Sequence, residues 1–216
     1  VGGLPAGPAD LRTPRLLHPG DRYDLARYNR VEGLSLGARV EAGYGRLDAE
    51  LTARLGLADL APRAELALRH EAATREVRTA AYRRLAPVTA RPDPLGLANS
   101  LDALIIGRDD GDYVDAYGIE VTGEPAGSGR PWYAWRLYAE AQRPLSAETD
   151  FSILRLFDRD IAFRPNLPAD RADQFGAALT LRVARGLDPK GFRWGAEADL
   201  GAETGTFRFA RTAATL

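Results

Sequence analysis

Hydrophobic and polar side chains alternate at every second position through residues 27–71, near the start of the chain. The clearest part is residues 47–57, where Leu or Ala fills each odd position while Asp, Glu, Thr, Arg and Gly fill the even ones. Successive side chains of a β-strand point to opposite faces, whereas an amphipathic helix needs apolar residues three and four positions apart. The stretch therefore predicts two-faced strands joined by tight turns.

The same alternation continues along the chain and predicts about nine strands in total. Residues 131–143 (PWYAWRLYAEAQR) are the clearest strand of the second half. Residues 86–111 interrupt the pattern with three prolines, and within them residues 99–107 predict one or two helical turns capped by Asn99 or Ser100. Because turns and no long helices separate the strands, an antiparallel up-and-down sheet is the simplest topology. The predicted strands are residues 34–41, 47–57, 63–71, 75–85, 112–123, 131–143, 149–157, 174–185 and 192–203, with a last strand from 206.

Residues 1–26 lack this alternation. They are rich in Pro and Gly with scattered charges, and they predict a linker or the end of a preceding domain. Residues 27–216 are long enough to form a single β-barrel domain. Since position 1 is not Met and no charged-then-apolar leader is present, we expect an excerpt of a larger protein, with the barrel truncated at its C-terminal end.

Alternation alone leaves two ways to orient the faces. A soluble barrel fills its interior with the apolar side chains, whereas an outer-membrane barrel turns them toward lipid and lines its interior with polar ones. Residues 46–57 and 131–143 match or exceed the roughly 9–11 residues that cross a membrane as a tilted strand. The apolar face is mostly Ala and Leu, which would fill a dry core poorly. Eight aromatic residues lie near predicted strand ends, as in the aromatic girdles of membrane barrels: Tyr44, Tyr113, Tyr117, Trp132, Tyr133, Trp135, Phe192 and Trp194.

These observations favour a transmembrane β-barrel, or an open part of one, located in the cell outer membrane with lipid as its partner. A soluble β-barrel that binds a small apolar ligand is the alternative. The 29 basic and 30 acidic residues give a net charge of −1, so bulk charge offers no support for a nucleic-acid partner. Lys190 is the only Lys, and an Arg-rich polar face suits enclosed ion pairs, although a GC-rich genome would produce the same bias.

Three segments resemble the BamA-like surface-antigen group of bacterial outer-membrane barrels. They are RYNRVEGLSLG (residues 27–37), GRDDGDYVDAYG (107–118) and WRLYAEAQRPLSAETDFS (135–152). The resemblance covers residues 27–157. Beyond them, only the alternating pattern of the predicted strands is similar. It implies an outer-membrane β-barrel of a Gram-negative bacterium. It also implies a role in inserting or translocating outer-membrane proteins, with other outer-membrane or periplasmic proteins as partners.

No catalytic, cofactor-binding or metal-ligating residue is predicted, and we expect no enzymatic activity. A Ser–His pair would have to use His18 or His70, and no local motif supports either. The absence of Cys excludes thiolate metal sites and disulfides. Four acidic residues miss the spacing of a calcium loop, and a turn before a strand explains them better: Asp109, Asp110, Asp112 and Asp115.

Nine charged residues occupy the polar positions of the alternating pattern, on one face of the predicted strands. On neighbouring strands they are expected to form a ladder of opposite charges that holds a barrel together across a wet interior, with solute selection as the functional alternative. They are Arg39, Glu41, Asp48, Glu50, Arg54, Glu65, Arg69, Arg136 and Glu140.

Overall fold

A computed structural model describes residues 11–20, 22–89, 93–126, 132–185 and 194–215. The fold is all-β, with eleven strands in one antiparallel sheet. The strands are β1 (Leu11–Leu17), β2 (Ala26–Asn29), β3 (Gly33–Tyr44), β4 (Leu47–Gly56), β5 (Pro62–Glu71), β6 (Arg75–Pro87), β7 (Tyr113–Pro125), β8 (Trp132–Pro144), β9 (Ala172–Arg185), β10 (Trp194–Gly205) and β11 (Phe209–Thr215). One α-helix, α1 (Leu97–Ile106), and two 3-10 helices, Tyr23–Leu25 and Leu154–Leu156, complete the described elements.

The strands follow an up-and-down order from β3 to β11, each paired with the next along the chain. This confirms the predicted topology. β1 and β2 both pair with β3, one beyond the other, so together they act as a single interrupted strand. The sheet is not closed into a barrel: in the part of the chain that the structure describes, β1 and β11 end the path without pairing with each other. An open, barrel-like sheet is the result.

The two ends of the sheet carry different connections. At the turn end, β3 and β4 are joined by Gly45 and Arg46 alone, and Gly45 has a positive φ of 58°. That conformation is the one a two-residue hairpin turn requires at its first position, and glycine adopts it without strain. At the opposite, long-loop end, residues 88–112 connect β6 to β7 and residues 145–171 connect β8 to β9.

Residues 1–26 are predicted to be a linker or the end of a preceding domain, and the part of them that the structure describes adds a strand to the sheet. Residues 11–17 form β1, and its pairing with β3 is irregular between Arg12 and Arg15. Pro14 lies at this irregularity; proline lacks the N–H that a regular ladder needs and occurs on edge strands such as this one. The short, irregular edge strand carries no alternation, and the sequence pattern therefore did not reveal it. Residues 1–10 lie outside the described residues.

The strand predicted at residues 149–157 is also wrong. This segment has no ladder partner, and its centre forms the 3-10 helix Leu154–Leu156. The hydroxyls of Thr149 and Ser152 accept hydrogen bonds from the backbone N–H groups of Phe151 and Arg155. Such local bonds compete with strand pairing.

The helix predicted at residues 99–107 is confirmed as α1, but its cap is not. Gly96 occupies the N-cap position and makes no side-chain cap. The Asn99 amide instead donates to the carbonyl of Pro94 at 2.8 Å and to the Asp109 carboxylate at 3.0 Å. Asn99 therefore ties the helix to the loop that follows it.

Large apolar side chains of the strands lie on the exposed face of the sheet, here called the outer face. The pairing register aligns one row across seven strands: Val40, Leu51, Leu66, Ala81, Ile119, Ala139 and Phe175. Leu51, Leu137 and Ile119 are 47%, 52% and 60% exposed. The neighbouring row, on what we call the inner face, includes the buried residues Ala67, Ala80 and Glu120. From β3 to β8 the strands thus expose large apolar side chains and cover the polar ones more fully.

The sheet curls toward its inner face at the long-loop end. β3 and β7 are separated by three strands, which would place them about 19 Å apart in a flat sheet. Arg30, in the turn before β3, nevertheless contacts Asp109 and Asp112, just before β7. The backbone N–H groups of Glu148 and Thr149, beyond β8, also donate to the Arg30 carbonyl. The curl brings these loops together over the inner face.

Candidate functional site: the ionic inner face

The nine charged residues predicted from the alternation take part in the inner face, but not as a simple ladder. Several directly opposed pairs carry like charges, among them Glu41 with Glu50 and Arg54 with Arg63. Ion pairs form diagonally instead, as between Arg39 and Glu50 at 3.3 Å. Diagonal neighbours remain within reach of long side chains. The offset lets Glu50 approach the opposite charge of Arg39 although its direct neighbour, Glu41, has the same sign.

Glu120, on β7, is the centre of the first ion cluster. Its carboxylate is 6% exposed and lies 3.0 Å from Arg78, 3.2 Å from Arg84 and 2.8 Å from Arg136. Arg78 and Arg84 also pair with Glu65, so the cluster spans β5 to β8. A carboxylate enclosed by guanidinium groups is a favourable arrangement because planar arginine forks supply several directed donors.

Tyr82 extends this cluster toward β8. Its hydroxyl donates to Glu140 at 2.7 Å, and the Arg84 guanidinium lies 3.7 Å from the centre of its ring. Gly118 is the direct cross-strand neighbour of Tyr82, and a Cβ there would lie 2.8 Å from the tyrosine oxygen. The glycine leaves the space that the aromatic side chain occupies, as a cross-strand ring often does over a strand glycine.

Glu32 is the centre of the second ion cluster, in the turn between β2 and β3. The carboxylate is fully buried and accepts hydrogen bonds from Arg27 at 2.7 Å and Asn29 at 2.8 Å. Arg63 donates to it from β5 at 3.2 Å and also binds Asp115 on β7. Burial alone would raise the pKa of Glu32, but Arg27, Asn29 and Arg63 outweigh it and hold that pKa below its ordinary value.

Arg30 forms a third cluster, which we call the Arg30 junction: Arg30, Asp109, Asp112, Arg164 and Asn166. The Arg30 guanidinium is fully buried and donates to the Asp109 carbonyl at 2.8 Å, to Asp112 at 2.7 Å and to Asn166 at 3.3 Å. Arg164 binds the same Asp112 carboxylate at 2.7 Å. The junction thereby joins the β2–β3 turn to both long connections.

The pKa values of Arg30 and Asp112 in the Arg30 junction shift in the directions that this geometry implies. Burial lowers the pKa of Arg30 below its ordinary value, against the attraction of Asp109 and Asp112. Burial would raise the pKa of Asp112, but the hydrogen bonds from Arg164 and from the Leu167 backbone lower it overall. The lowered pKa of Asp112 favours its charged form, as a salt bridge requires.

The acidic residues predicted to lie in a turn before β7 are divided among separate arginines. Asp110 pairs with Arg108, and Asp115 pairs with Arg63 and Arg83. Asp109 and Asp112 belong to the Arg30 junction. Within the described residues, no group of three or more His, Asp or Glu side chains is placed to hold a metal ion. His18 lies before the first 3-10 helix and His70 at the exposed turn end of β5, on different parts of the sheet.

The alternation did not identify Arg30, Glu32 or Asn166. All three lie in turns or loops, where side chains have no fixed period. Arg30 and Glu32 fall within the RYNRVEG segment of the resemblance, which was the only available signal for this turn. Asn166 has no signal, because two of its partners, Arg30 and Tyr113, are more than 50 residues away along the chain.

The chain matches no family model, no curated protein and no solved structure with which it was compared. In the described ranges, no helix has both the length and the apolar character to cross a membrane.

The depressed pKa of Glu32 predicts a specific loss of stability in acid. A carboxylate with a lower pKa in the folded state stabilises the fold above its unfolded-state pKa of about 4.3. That stabilisation is lost as the pH falls below this value toward the folded pKa. We expect the free energy of unfolding of the wild type, measured with denaturant, to fall over this pH range. Glu32→Gln should have a lower free energy of unfolding at neutral pH, and that energy should change less as the pH falls. The exposed control Glu124→Gln should follow the wild-type profile; equal acid sensitivity of wild type and Glu32→Gln would contradict the assignment.

Proposed function

We propose that this chain is an integral outer-membrane β-barrel protein, or the major part of one, whose outer face contacts lipid. The observation that carries the proposal is the orientation of the two faces. Leu, Val, Ile and Phe side chains of β3 to β10 are exposed, while arginine and carboxylate side chains pair on the inner face. Only in a hydrocarbon environment does this arrangement place both faces in the medium that suits them.

The lengths of the strands support this proposal. β3 has 12 residues, β4 has 10, β7 and β8 have 13 each and β9 has 14. Roughly 9–11 residues suffice for a tilted strand to cross the hydrocarbon core, while strands in soluble domains usually have about 5–6. Antiparallel pairing on both sides of β3 to β10 also satisfies the backbone polar groups of these strands, which lipid cannot do.

Exposed aromatic side chains occur at both ends of the outer face. Tyr44, Tyr133 and Trp194 lie at the turn end, where β3 finishes and β8 and β10 begin. Tyr117 and Phe175 lie toward the long-loop end, within the first five residues of β7 and β9. Two such belts are typical of the interfaces on either side of a membrane barrel. The separation of the belts places the apolar rows of the strands between them.

The connections suggest the orientation of the barrel in the membrane. Outer-membrane barrels have short periplasmic turns and longer extracellular loops. Residues 88–112 and 145–171 are the long connections, and both lie at the same end. We therefore propose that the long-loop end is extracellular and that the Gly45–Arg46 turn is periplasmic.

The alternative, a soluble β-barrel that binds a small apolar ligand, requires the apolar face to be inside. Among the described residues, the largest fully buried side chain is instead Arg30, and Glu32 is buried with it. The buried apolar clusters are small groups at the inner face and under the loops, such as Val31, Leu85 and Tyr113. The geometry favours the membrane proposal. A role in inserting or translocating outer-membrane proteins remains a prediction of the resemblance.

Membrane fractionation tests the proposal. Expressed in a Gram-negative host behind an outer-membrane export signal, the protein should remain in the outer-membrane pellet after carbonate or urea extraction and should require detergent for solubility. Folded membrane barrels resist detergent denaturation, so its gel mobility should also change on heating. A protein that stays monodisperse in buffer without detergent would overturn the proposal.

A further inference from the structure

We infer that the inner face contains a binding site for a phosphate group carried by a soluble solute. The site is a cavity of about 210 Å³ near the long-loop end of β3 to β6. This volume is well above the roughly 10–15 Å³ that one water molecule needs, so a phosphate with a partial hydration shell fits. Six arginines and only two carboxylates line it; the arginines are Arg27, Arg39, Arg54, Arg63, Arg83 and Arg84.

Arg54 distinguishes this cavity from the balanced ion clusters around it. The other five arginines each pair with a carboxylate, for example Arg27 with Glu32 and Arg83 with Asp115. The Arg54 guanidinium donates only to backbone carbonyls, those of Leu25 at 3.3 Å and Asp24 at 2.5 Å, in the part of the chain that the structure describes. Among the residues that the structure describes, no carboxylate pairs with its positive charge, and it lies directly opposite the like charge of Arg63.

Arg63 supplies a second, independent observation. Its side chain is 2% exposed, and three of its carboxylate partners lie within 3.2 Å: Glu32, Asp59 and Asp115. The Nη2 atom of Arg63 still has no hydrogen-bond partner, although it is buried. A buried donor without a partner is costly, and native proteins usually satisfy such groups with water or a ligand. An oxyanion in the cavity would satisfy this donor and pair with the Arg54 charge.

The chemistry of the lining specifies the class of ligand. Arginine forks bind phosphate through paired, charge-assisted hydrogen bonds, and several of them around one cavity suit an anion with several oxygens. The cavity lies on the inner face, opposite the apolar side chains, so a soluble phosphate compound is favoured over a lipid headgroup. The inference concerns one face of the sheet and holds whether or not the outer face contacts lipid.

Calorimetric titration of the purified protein tests the inference. The protein is kept in a detergent and a buffer that both lack phosphate, at constant ionic strength, and is titrated with inorganic phosphate, with glycerol 3-phosphate and with chloride. We expect saturable binding of the two phosphate ligands and none of chloride. Arg54→Gln should weaken phosphate binding by at least about tenfold, because a charge-assisted donor pair is lost. Arg54→Lys keeps the charge without the fork and should cause a smaller loss.

The matched control is Arg182→Gln. Arg182 also lies on the inner face, but toward the turn end, and it pairs with Glu197 outside the cavity. This variant should bind phosphate as the wild type does. If Arg54→Gln fails to fold, the Arg54→Lys variant decides the outcome. Absence of saturable phosphate binding, equal binding of chloride, or unchanged affinity in a folded Arg54 variant would overturn the inference. Binding to phosphatidylglycerol micelles but not to the soluble phosphates would reject the soluble source.

Discussion

Leu51→Arg and Leu137→Arg are each expected to weaken folding into a lipid bilayer by about 2–4 kcal/mol, the cost of an arginine at the midplane of a membrane barrel. Both leucines lie in the middle of long strands, β4 and β8, and about half of each side chain is exposed on the outer face. In lipid, an arginine there must either lose its hydration or distort the bilayer around it. The measurement is denaturant-induced unfolding in lipid vesicles, in which the heat-dependent gel shift reports the fraction of folded protein.

The control variant for this prediction is Leu47→Arg. Leu47 occupies the same face of β4 as Leu51 but begins the strand at the turn end, where an arginine should reach the interface at a cost of about 0–1 kcal/mol. The prediction therefore concerns depth as well as face. If all three variants fold into vesicles as well as the wild type, the outer face does not contact hydrocarbon. If Leu51→Arg and Leu137→Arg instead unfold a protein that is soluble without detergent, the alternative of a soluble barrel is supported.

The strands themselves were predictable because alternation is a local signal. β3 to β11 each correspond to a predicted strand, and the predicted faces match the register of the ladders. Alternation is symmetric with respect to inside and outside, however, so it assigns residues to two faces without stating which face is covered. Only the curl of the sheet, which brings Arg30 to Asp112, determines that the polar face is enclosed.

Two kinds of structure could not be predicted in this way. β1 is an edge strand with a proline at its irregular point, and nothing in its own sequence alternates. The ion clusters depend on diagonal contacts and on turns, as in the pair of Arg63 with Glu32, whose residues are 31 positions apart. The charge ladder was predicted from the correct residues, but its partners follow from side-chain length and the twist of the sheet.

The Arg30 junction is the part of the inner face whose disruption should have the largest effect on stability. Arg30→Met removes the guanidinium while keeping a long side chain. It leaves the Asp109 carbonyl without its guanidinium donor and breaks the ion pair with Asp112, which within the described residues keeps only Arg164 as an arginine partner. Breaking a buried ion pair in this manner costs about 3–5 kcal/mol. We expect a corresponding loss in the free energy of unfolding, measured with denaturant in detergent micelles, and faster proteolysis within residues 93–112 and 145–171.

Two further variants separate charge from geometry at this junction. Arg30→Lys keeps the charge but cannot reach Asp109, Asp112 and Asn166 together, so its loss of stability should be intermediate. Arg108→Met removes an exposed partner of Asp110 in the same loop and should have little or no effect, as is usual for surface ion pairs. A stable Arg30→Met variant with unchanged proteolysis of both long connections would show that the junction does not hold them. The curl of the sheet would then depend on strand pairing alone.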